Sequence, residues 1–384
     1  MGIVVSGVPN SVRKPGVFTD YDLTNAISGV AANQYKLALI GASGTGWATG
    51  GANANGGTYA LADTVYPILD SAQAETLFGA DSSLARMVKD AFSVNPYIPL
   101  FAIIKNATIA TTLAKLTTDQ YHVLAFDSVP IAADATAINN HLTLVSGPIE
   151  QRPAIAVFGF VGDVTGAKAA ATFFMSDRVS VVAVKADPCT AAATVTPELH
   201  LNCGRLAAAY AAALAASTDP AMPLNGVALT GLPAVQVKDN WTRTEQEALM
   251  GTATSGAVTP IENVAGGVMA IVRAVSTKTT GVSGTSPDLW IRILDYVRYA
   301  LGEVLGEQFS RSKLNDRVVS MVKATIYDTL LKIEELEIIE HVAFYKDRLQ
   351  VERDANIPGR LNARIPVDVV NGLHVMANVI ELHI

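Results

Sequence analysis

The chain has 384 residues, half of them hydrophobic and 16% charged. That length fits two or three domains at roughly 150 residues each, and the apolar content excludes global disorder. A net charge of −7, with no long basic stretch, argues against a protein whose main task is gripping nucleic acid, which needs a basic face.

No stretch approaches the ~20 apolar residues of a membrane-spanning helix. The nearest, residues 206–217, is alanine-rich, contains Tyr210 and stops at Asp219-Pro220, so it reads as a packed helix. Residues 1–10 have no cationic start and no apolar run of signal-peptide length, so secretion by that route is not expected. The two cysteines, Cys189 and Cys203, are too few for a disulfide framework and read as reduced, structural residues. His122, His141, His200, His341, His374 and His383 are scattered without an HExxH or CxxC spacing. His200 and Cys203 can share a helix face, but two ligands do not make a closed zinc site. No metal and no cofactor is expected.

In chain order, Arg13-Lys14-Pro15-Gly16 reads as a turn, followed by a short strand over 17–22. More than ten residues precede it, which suggests an arm. Apolar runs at 36–40, 99–104, 123–126, 154–160 and 179–184 predict strands. Helical patterns lie between them at 72–78, 82–93, 135–145, 167–175 and 197–216. Strands alternating with helices argue for βαβ units and a mainly parallel sheet, and near-continuous apolar runs fit strands covered on both faces. Residues 41–57, rich in Gly, Ala and Asn, read as a long exposed loop. Residues 258–264 and 268–275 predict a hairpin around Gly266-Gly267. The polar stretch 277–287 predicts a linker.

The last hundred residues differ in texture. Ser286-Pro287-Asp288 opens a helix carrying Leu289, Ile293, Val297, Leu301 and Val304. A second helix is predicted over 314–340, with Val318, Val322, Ile326, Ile333 and Leu336 on one side. Strand-like pieces follow at 342–353, 360–370 and 375–384. The last ends on alternating Ile380, Glu381, Leu382, His383 and Ile384 and needs a partner to hold it, because termini fray unless tied down.

The sharpest enzyme-like string is Gly41-Ala42-Ser43-Gly44-Thr45-Gly46, directly after a strand. Glycines there resemble a dinucleotide-binding turn, but that turn needs a helix N-terminus behind it to hold phosphates. Residues 47–57 do not read as a helix, and no acidic residue ends a second strand at the expected spacing, so an open loop competes with the cofactor reading and is favoured. No GxSxG and no GxxxxGK[ST] is present. Glu334, Glu335, Glu337 and Glu340 would share faces of the second helix, as a solvated or interface surface or, alternatively, as paired carboxylates for acid–base work. Arg311, Lys313, Arg317 and Lys323 form a small basic stretch at the inter-helix corner, read either as an ordinary solvated end or as a contact for an acidic partner.

Several segments together resemble the tail sheath proteins of contractile bacteriophage tails, of the Mu-like type. Val12-Arg13-Lys14-Pro15-Gly16-Val17-Phe18 is similar to an arm that reads R-x-P-G-V-[YF]. Leu77-Phe78-Gly79-Ala80-Asp81-Ser82-Ser83-Leu84-Ala85-Arg86-Met87 resembles L-F-G-x-G-S-x-L-A-x-M, with Asp81 where glycine is usual. Asp219-Pro220-Ala221-Met222-Pro223-Leu224 resembles D-P-A-x-P-L, while Tyr296-Val297-Arg298-Tyr299 and Ser312-Lys313-Leu314 match Y-x-R-Y and a later K-L.

The resemblance implies a structural protein and no enzyme. Subunits would stack as six-membered rings in a helix around a tail tube, with N- and C-terminal arms completing sheets in neighbours, and would contract to drive the tube through the host envelope. It implies baseplate and tail terminator partners, no direct nucleic-acid or membrane contact, and a place in the virion tail after assembly in the host bacterial cytoplasm. Arm residues would be Pro15, Gly16, Val17, Phe18 and Thr19 at one end and Val379, Ile380, Glu381, Leu382, His383 and Ile384 at the other. Arg311, Lys313, Arg317 and Lys323 would form a tube-facing or inter-subunit patch.

The expected architecture is an N-terminal arm (1–22), an outward-facing α/β domain with a mainly parallel sheet (23–275), an α+β C-terminal domain (276–370) and a C-terminal arm (371–384). The competing readings are a dinucleotide-binding α/β enzyme using residues 41–46 and a non-contractile tube or capsid protein. The βα-alternating middle argues against the latter.

Overall fold

The computed structural model describes residues 35–44, 59–106, 108–129, 131–185, 202–235, 239–251, 254–264, 266–279 and 290–381. The arm residues Pro15 to Thr19, most of the 41–57 stretch, the Ser286-Pro287-Asp288 helix start, most of the 277–287 linker, and Leu382, His383 and Ile384 lie outside the described residues.

Strands β1 (Leu37–Gly41), β3 (Leu100–Ile104), β4 (Val123–Phe126), β5 (Ile155–Gly162), β6 (Val179–Lys185) and β8 (Thr259–Val264) run parallel in the spatial order 3-1-4-5-6-8. Antiparallel strands flank them: β2 (Val65–Ile68) beyond β3, and β9 (Val268–Ile271) then β7 (Ala228–Leu229) beyond β8. The predicted mainly parallel sheet is therefore present. The hairpin of β8 and β9 turns at Gly266 (φ 96°) and Gly267 (φ 76°), a left-handed pair that favours glycine.

Both faces of this sheet are covered. Alternate residues Leu37 and Leu39, Val123 and Ala125, and Ile155 and Val157 face one core, built with α1 (Ser71–Phe78), α2 (Ser83–Val94) and α6 (Cys203–Ala216). Their neighbours Ala38 and Ile40, Leu124 and Phe126, and Ala156 and Phe158 face a second core, with α3 (Ile109–Lys115), α4 (Ala132–Val145), α5 (Val164–Thr172) and α7 (Arg243–Leu249). Two-sided burial is why these strands read as unbroken apolar runs. Helix α5 begins three residues earlier than its sequence pattern because the Asp163 side chain accepts from the Gly166 N–H and caps it.

The alanine-rich helix α6 is buried along nearly its whole length against the sheet. Its start approaches the strands so closely that a Cβ at Gly159 would run into the Cys203 carbonyl. Within this core Arg205 of α6 and Asp90 of α2 make a two-point ion pair, Nε–Oδ2 2.6 Å and Nη2–Oδ1 2.8 Å. Burial pushes the Asp90 carboxyl up while Arg205 pulls it down. Among the described residues, no helix is long and apolar enough to cross a membrane.

A third core spans residues 293–369, built on an antiparallel helix pair, α8 (Ile291–Phe309) and α9 (Asp316–Glu335). Asn315 caps α9 by accepting from the Val318 N–H. The predicted helix over 314–340 is too long. After Leu336 the chain turns at Glu337 (φ 58°), and Ile338 and Ile339 are buried. Ile339–Glu340 forms strand β10, which pairs antiparallel with β13 (Asp368–Val369). The predicted strand 342–353 is a turn, a 3-10 stretch and then β11 (Gln350–Arg353). The predicted strand 360–370 is broken at Ile365-Pro366 into β12 (Leu361–Arg364) and β13, since proline cannot donate to a sheet.

Helix α8 is tied to the sheet through its polar face. Arg178, just ahead of β6, holds Asp295 by two 2.8 Å bonds. Arg298 donates to the Ser146 carbonyl at 2.7 Å, and Arg292 to the Ser217 carbonyl at 3.0 Å. The Y-x-R-Y string thus places Val297 in the third core and Arg298 on the sheet domain. Asp295→Ala strands Arg178 beside the sheet and should cost about 2 kcal/mol, as loss of a charge-assisted pair does, read as a lower denaturant midpoint.

Two buried histidines set an acid limit. Burial lowers His122 and His141 from the ordinary 6.5 to about 4. Lys36 donates its backbone N–H to the His122 Nδ1 at 3.0 Å, which requires an unprotonated nitrogen there. The unfolded chain protonates both near 6.5 while the folded chain does not, so folding stability should fall as pH drops from about 6.5 towards 4, by at most about 3 kcal/mol per group. Urea midpoints across that window check this, and His141→Gln should flatten the slope.

Candidate assembly surface

The competing dinucleotide reading at the C-terminal end of β1 meets an internal occupant. The Ala42 N–H donates to Asp127 Oδ2 at 2.7 Å, and Lys105 pairs with Asp127 Oδ1 at 3.3 Å. A carboxylate already fills the place where a dinucleotide turn would offer backbone N–H groups to a phosphate. Asp81 packs over Gly44, where a side chain would collide with it. Among the described residues the next element in the chain is the antiparallel edge strand β2 rather than a helix. The L-F-G-A-D-S-S-L-A-R-M segment is the α1–α2 corner: Gly79 ends α1 at φ 91°, and Ser82 caps α2 through the Ala85 N–H at 2.9 Å.

The acidic run does not form one helix face. Glu334 and Glu335 end α9, with Glu334 accepting from the Val342 N–H at 3.0 Å. Glu337 sits in the turn and Glu340 in β10. Glu340 lies opposite Asp368 in the sheet register, and His341 bonds Asp368 at 3.1 Å. The donor atoms of Glu340, His341 and Asp368 lie within 4.8 Å of one another, a cluster that the 27-residue separation hides in sequence. The imidazole–carboxylate bond accounts for the arrangement, and three donors fall one short of a closed tetrahedral set.

The basic stretch is exposed throughout. Arg311 and Lys313 lie in the loop between α8 and α9, and Arg317 in the first turn of α9. Lys323 is six residues beyond Arg317, about 240° round the helix at 100° per residue, so it faces another way. No ion pair joins any of the four to the described residues.

The C-terminal end of the described chain presents bare backbone. The Val370 N–H reaches the Ile338 carbonyl at 3.4 Å, and the His374 Nδ1 lies 2.9 Å from the Asn225 side-chain nitrogen. From 371 to 381 there is no helix or strand, and no hydrogen bond among the described residues involves 375–380. Val375, Met376, Val379 and Ile380 are 80%, 71%, 88% and 94% exposed. Nearby, β11 and β12 pair only with each other among the described strands, leaving an open edge on each side. Their turn is fixed by Asp354, which accepts from the Asn362 side chain and the Asn356 and Ile357 N–H groups; these hold its carboxyl below the ordinary range. Arg353 pairs with Asp316 at 2.8 Å, anchoring the hairpin to α9. An open cleft of about 590 Å³ runs along the hairpin between Tyr345, Arg348, Gln350 and Arg364 to Asp368.

This is a mainly parallel α/β sheet joined to a helix pair with two small β ribbons, and it exposes an apolar C-terminal segment and the edges of the β11–β12 hairpin. Models of the phage tail sheath central domain and C-terminal domain match residues 102–277 and 290–383. A Mu-like prophage tail sheath protein of Haemophilus influenzae is 28% identical over 193 residues, covering 46% of this chain and 39% of that protein. The match therefore spans well under half the length of that relative. The fold is similar to the sheath in a contracted extracellular contractile injection system (TM-score 0.61, 14% identity, 97% and 98% of the two chains). It is also similar to a chain of an anti-feeding prophage baseplate (TM-score 0.63, 14% identity, 97% and 100%) and to a sheath tail protein of Listeria innocua (TM-score 0.60, 10% identity, 88% and 93%). The chain belongs to the phage tail sheath family and is a structural protein rather than an enzyme.

Proposed function

We propose that this chain is the repeating subunit of a virion tail sheath, stacked as hexameric rings around a tail tube and linked by strands exchanged between subunits. One observation carries this reading: an apolar, fully exposed segment at 375–380 without internal hydrogen bonds, on a chain that also presents an open hairpin edge. An open edge is a template for another chain, and a segment that reaches a neighbour rather than its own subunit makes a head-to-tail contact that builds a helix instead of a closed dimer. The N-terminal arm, Pro15 to Thr19, supplies a second strand to the same joint.

The rest of the mechanism follows from the unequal strength of contacts. Main-chain pairing holds subunits together while exposed ion pairs, worth about 0–1 kcal/mol each, exchange as the lattice slides. Arg311, Lys313 and Arg317 face the tube or a neighbouring subunit in this reading. Arg317 stands in the first turn of α9, where the helix dipole disfavours a cation, so its position serves a contact better than it serves the helix. Contraction repacks the lattice between two packed states and drives the tube through the host envelope. The 23–275 portion faces outward, residues 276–370 form the inner polymerising part, and baseplate and terminator proteins cap the array. Assembly takes place in the host bacterial cytoplasm.

Electron microscopy of the concentrated full-length protein tests this. Hollow tubes with a regular helical surface lattice are expected. Closed small oligomers or persistent monomers, even with a tail tube supplied as template, would reject the reading.

A further inference from the structure

The Asp219-Pro220-Ala221-Met222-Pro223-Leu224 string has no role in either the sheet or the helix pair, yet it touches both. Leu224 is buried in the core of the sheet domain, while Ala221 packs on the third core. The loop is stiff. Pro220 and Pro223 fix their φ angles, the Ala221 N–H donates to Asp219 Oδ1 at 2.8 Å, and the Gly226 N–H donates to the Ile271 carbonyl at 2.7 Å. With Trp290, Ile293 and Val370 it surrounds a cavity of about 40 Å³ at the root of the C-terminal segment.

The chain leaves β13 across this surface. At Gly372 an added Cβ would lie 3.1 Å from His374 Nε2 and 3.3 Å from Pro223 Cβ, tighter than ordinary contact, so the backbone lies directly against the proline. Two residues later His374 meets Asn225 at 2.9 Å. Beyond that point no hydrogen bond among the described residues holds 375–380. Between residues 371 and 380, the last hydrogen bond among the described residues is therefore the one between Asn225 and His374.

We propose that the 219–225 loop is a bearing that aims the C-terminal segment, with Asn225 and His374 as positioning residues that fix its direction of exit. The inference rests on the reading of that segment as a strand given to a neighbouring copy. Because the loop is seated on both the sheet domain and the helix pair, the exit direction follows the whole subunit rather than one part of it. A segment aimed before contact loses less freedom on pairing than one that sweeps through solvent.

Two readouts separate the bearing from the sheath reading. The first is the protein concentration at which tubes form, compared among wild type, Asn225→Ala, His374→Ala and His374→Gln. Loss of the bond should raise that concentration about threefold to tenfold, the range one net hydrogen bond spans, and His374→Gln, which keeps a hydrogen-bonding side chain, should recover part of it. The second needs no assembly: pulsed electron-resonance distances between spin labels at Met321→Cys and Val379→Cys, in a Cys189→Ser, Cys203→Ala background. A narrow distribution that broadens in Asn225→Ala supports the bearing. An unchanged distribution, or tubes forming at an unchanged concentration, overturns it, even where wild-type tubes uphold the sheath reading. Failure of the wild type to form tubes counts against the sheath reading, and the distance measurement still decides the bearing.

Discussion

Removing residues 375–384 is expected to leave a folded monomer that no longer polymerises. Folding should survive because residues 375–380 make no hydrogen bond with the described residues and their large apolar side chains are exposed. The third core is complete by Val369. Assembly should fail because the deletion removes the main-chain donors and acceptors of the added strand. Four to six such bonds at about 1 kcal/mol each come to roughly 5 kcal/mol, or between 10³ and 10⁴ in association. Sedimentation velocity with circular dichroism reads both outcomes together. Tubes from the truncated chain would remove the segment from the joint, and loss of folding would place it in its own subunit's core.

The largest expected effect on stability lies far from that surface. Asp90→Ala leaves the Arg205 guanidinium, which is 7% exposed, with neither carboxylate oxygen that now holds it at 2.6 and 2.8 Å. Breaking a buried ion pair by removing one partner costs about 3–5 kcal/mol, whereas replacing both partners by apolar side chains of similar volume is close to neutral. Asp90→Leu combined with Arg205→Met should therefore recover most of the loss. Guanidinium denaturation of the two single variants and the double variant makes this a thermodynamic cycle. A mild Asp90→Ala would mean that the α2–α6 contact tolerates water around Arg205.

Where both faces of an element are buried, the amino-acid pattern revealed it. Strands β1, β4 and β6 came out within a residue or so because their runs have no polar face. Strand β2 escaped notice because Pro67 interrupts it and its edge position leaves it half exposed. Helix α7 did carry a legible signal, the Thr242/Glu245 capping box. The end of α9 was not legible, because the turn at Glu337 answers to the burial of Ile338 and Ile339 against β13, a tertiary demand.

The candidate site divides in the same way. The alternation from Ile380 to Ile384 predicts a strand over 375–384; the subunit alone forms none over 375–381, and residues 382–384 lie outside the described residues. In contrast, the Asn225–His374 fastening joins residues 149 apart, and the Arg178–Asp295 clamp joins residues 117 apart, so neither leaves a mark in local pattern. The basic stretch read as one patch in sequence, but the helical rotation between Arg317 and Lys323 divides it.

The most direct test of the account is a helical reconstruction of the assembled protein at a resolution that traces the backbone. Residues 375–384 of one subunit are expected to lie as a strand along the open edge of the β11–β12 hairpin of another. Density that returns the segment to its own subunit, or leaves that hairpin edge facing solvent within the lattice, would contradict it.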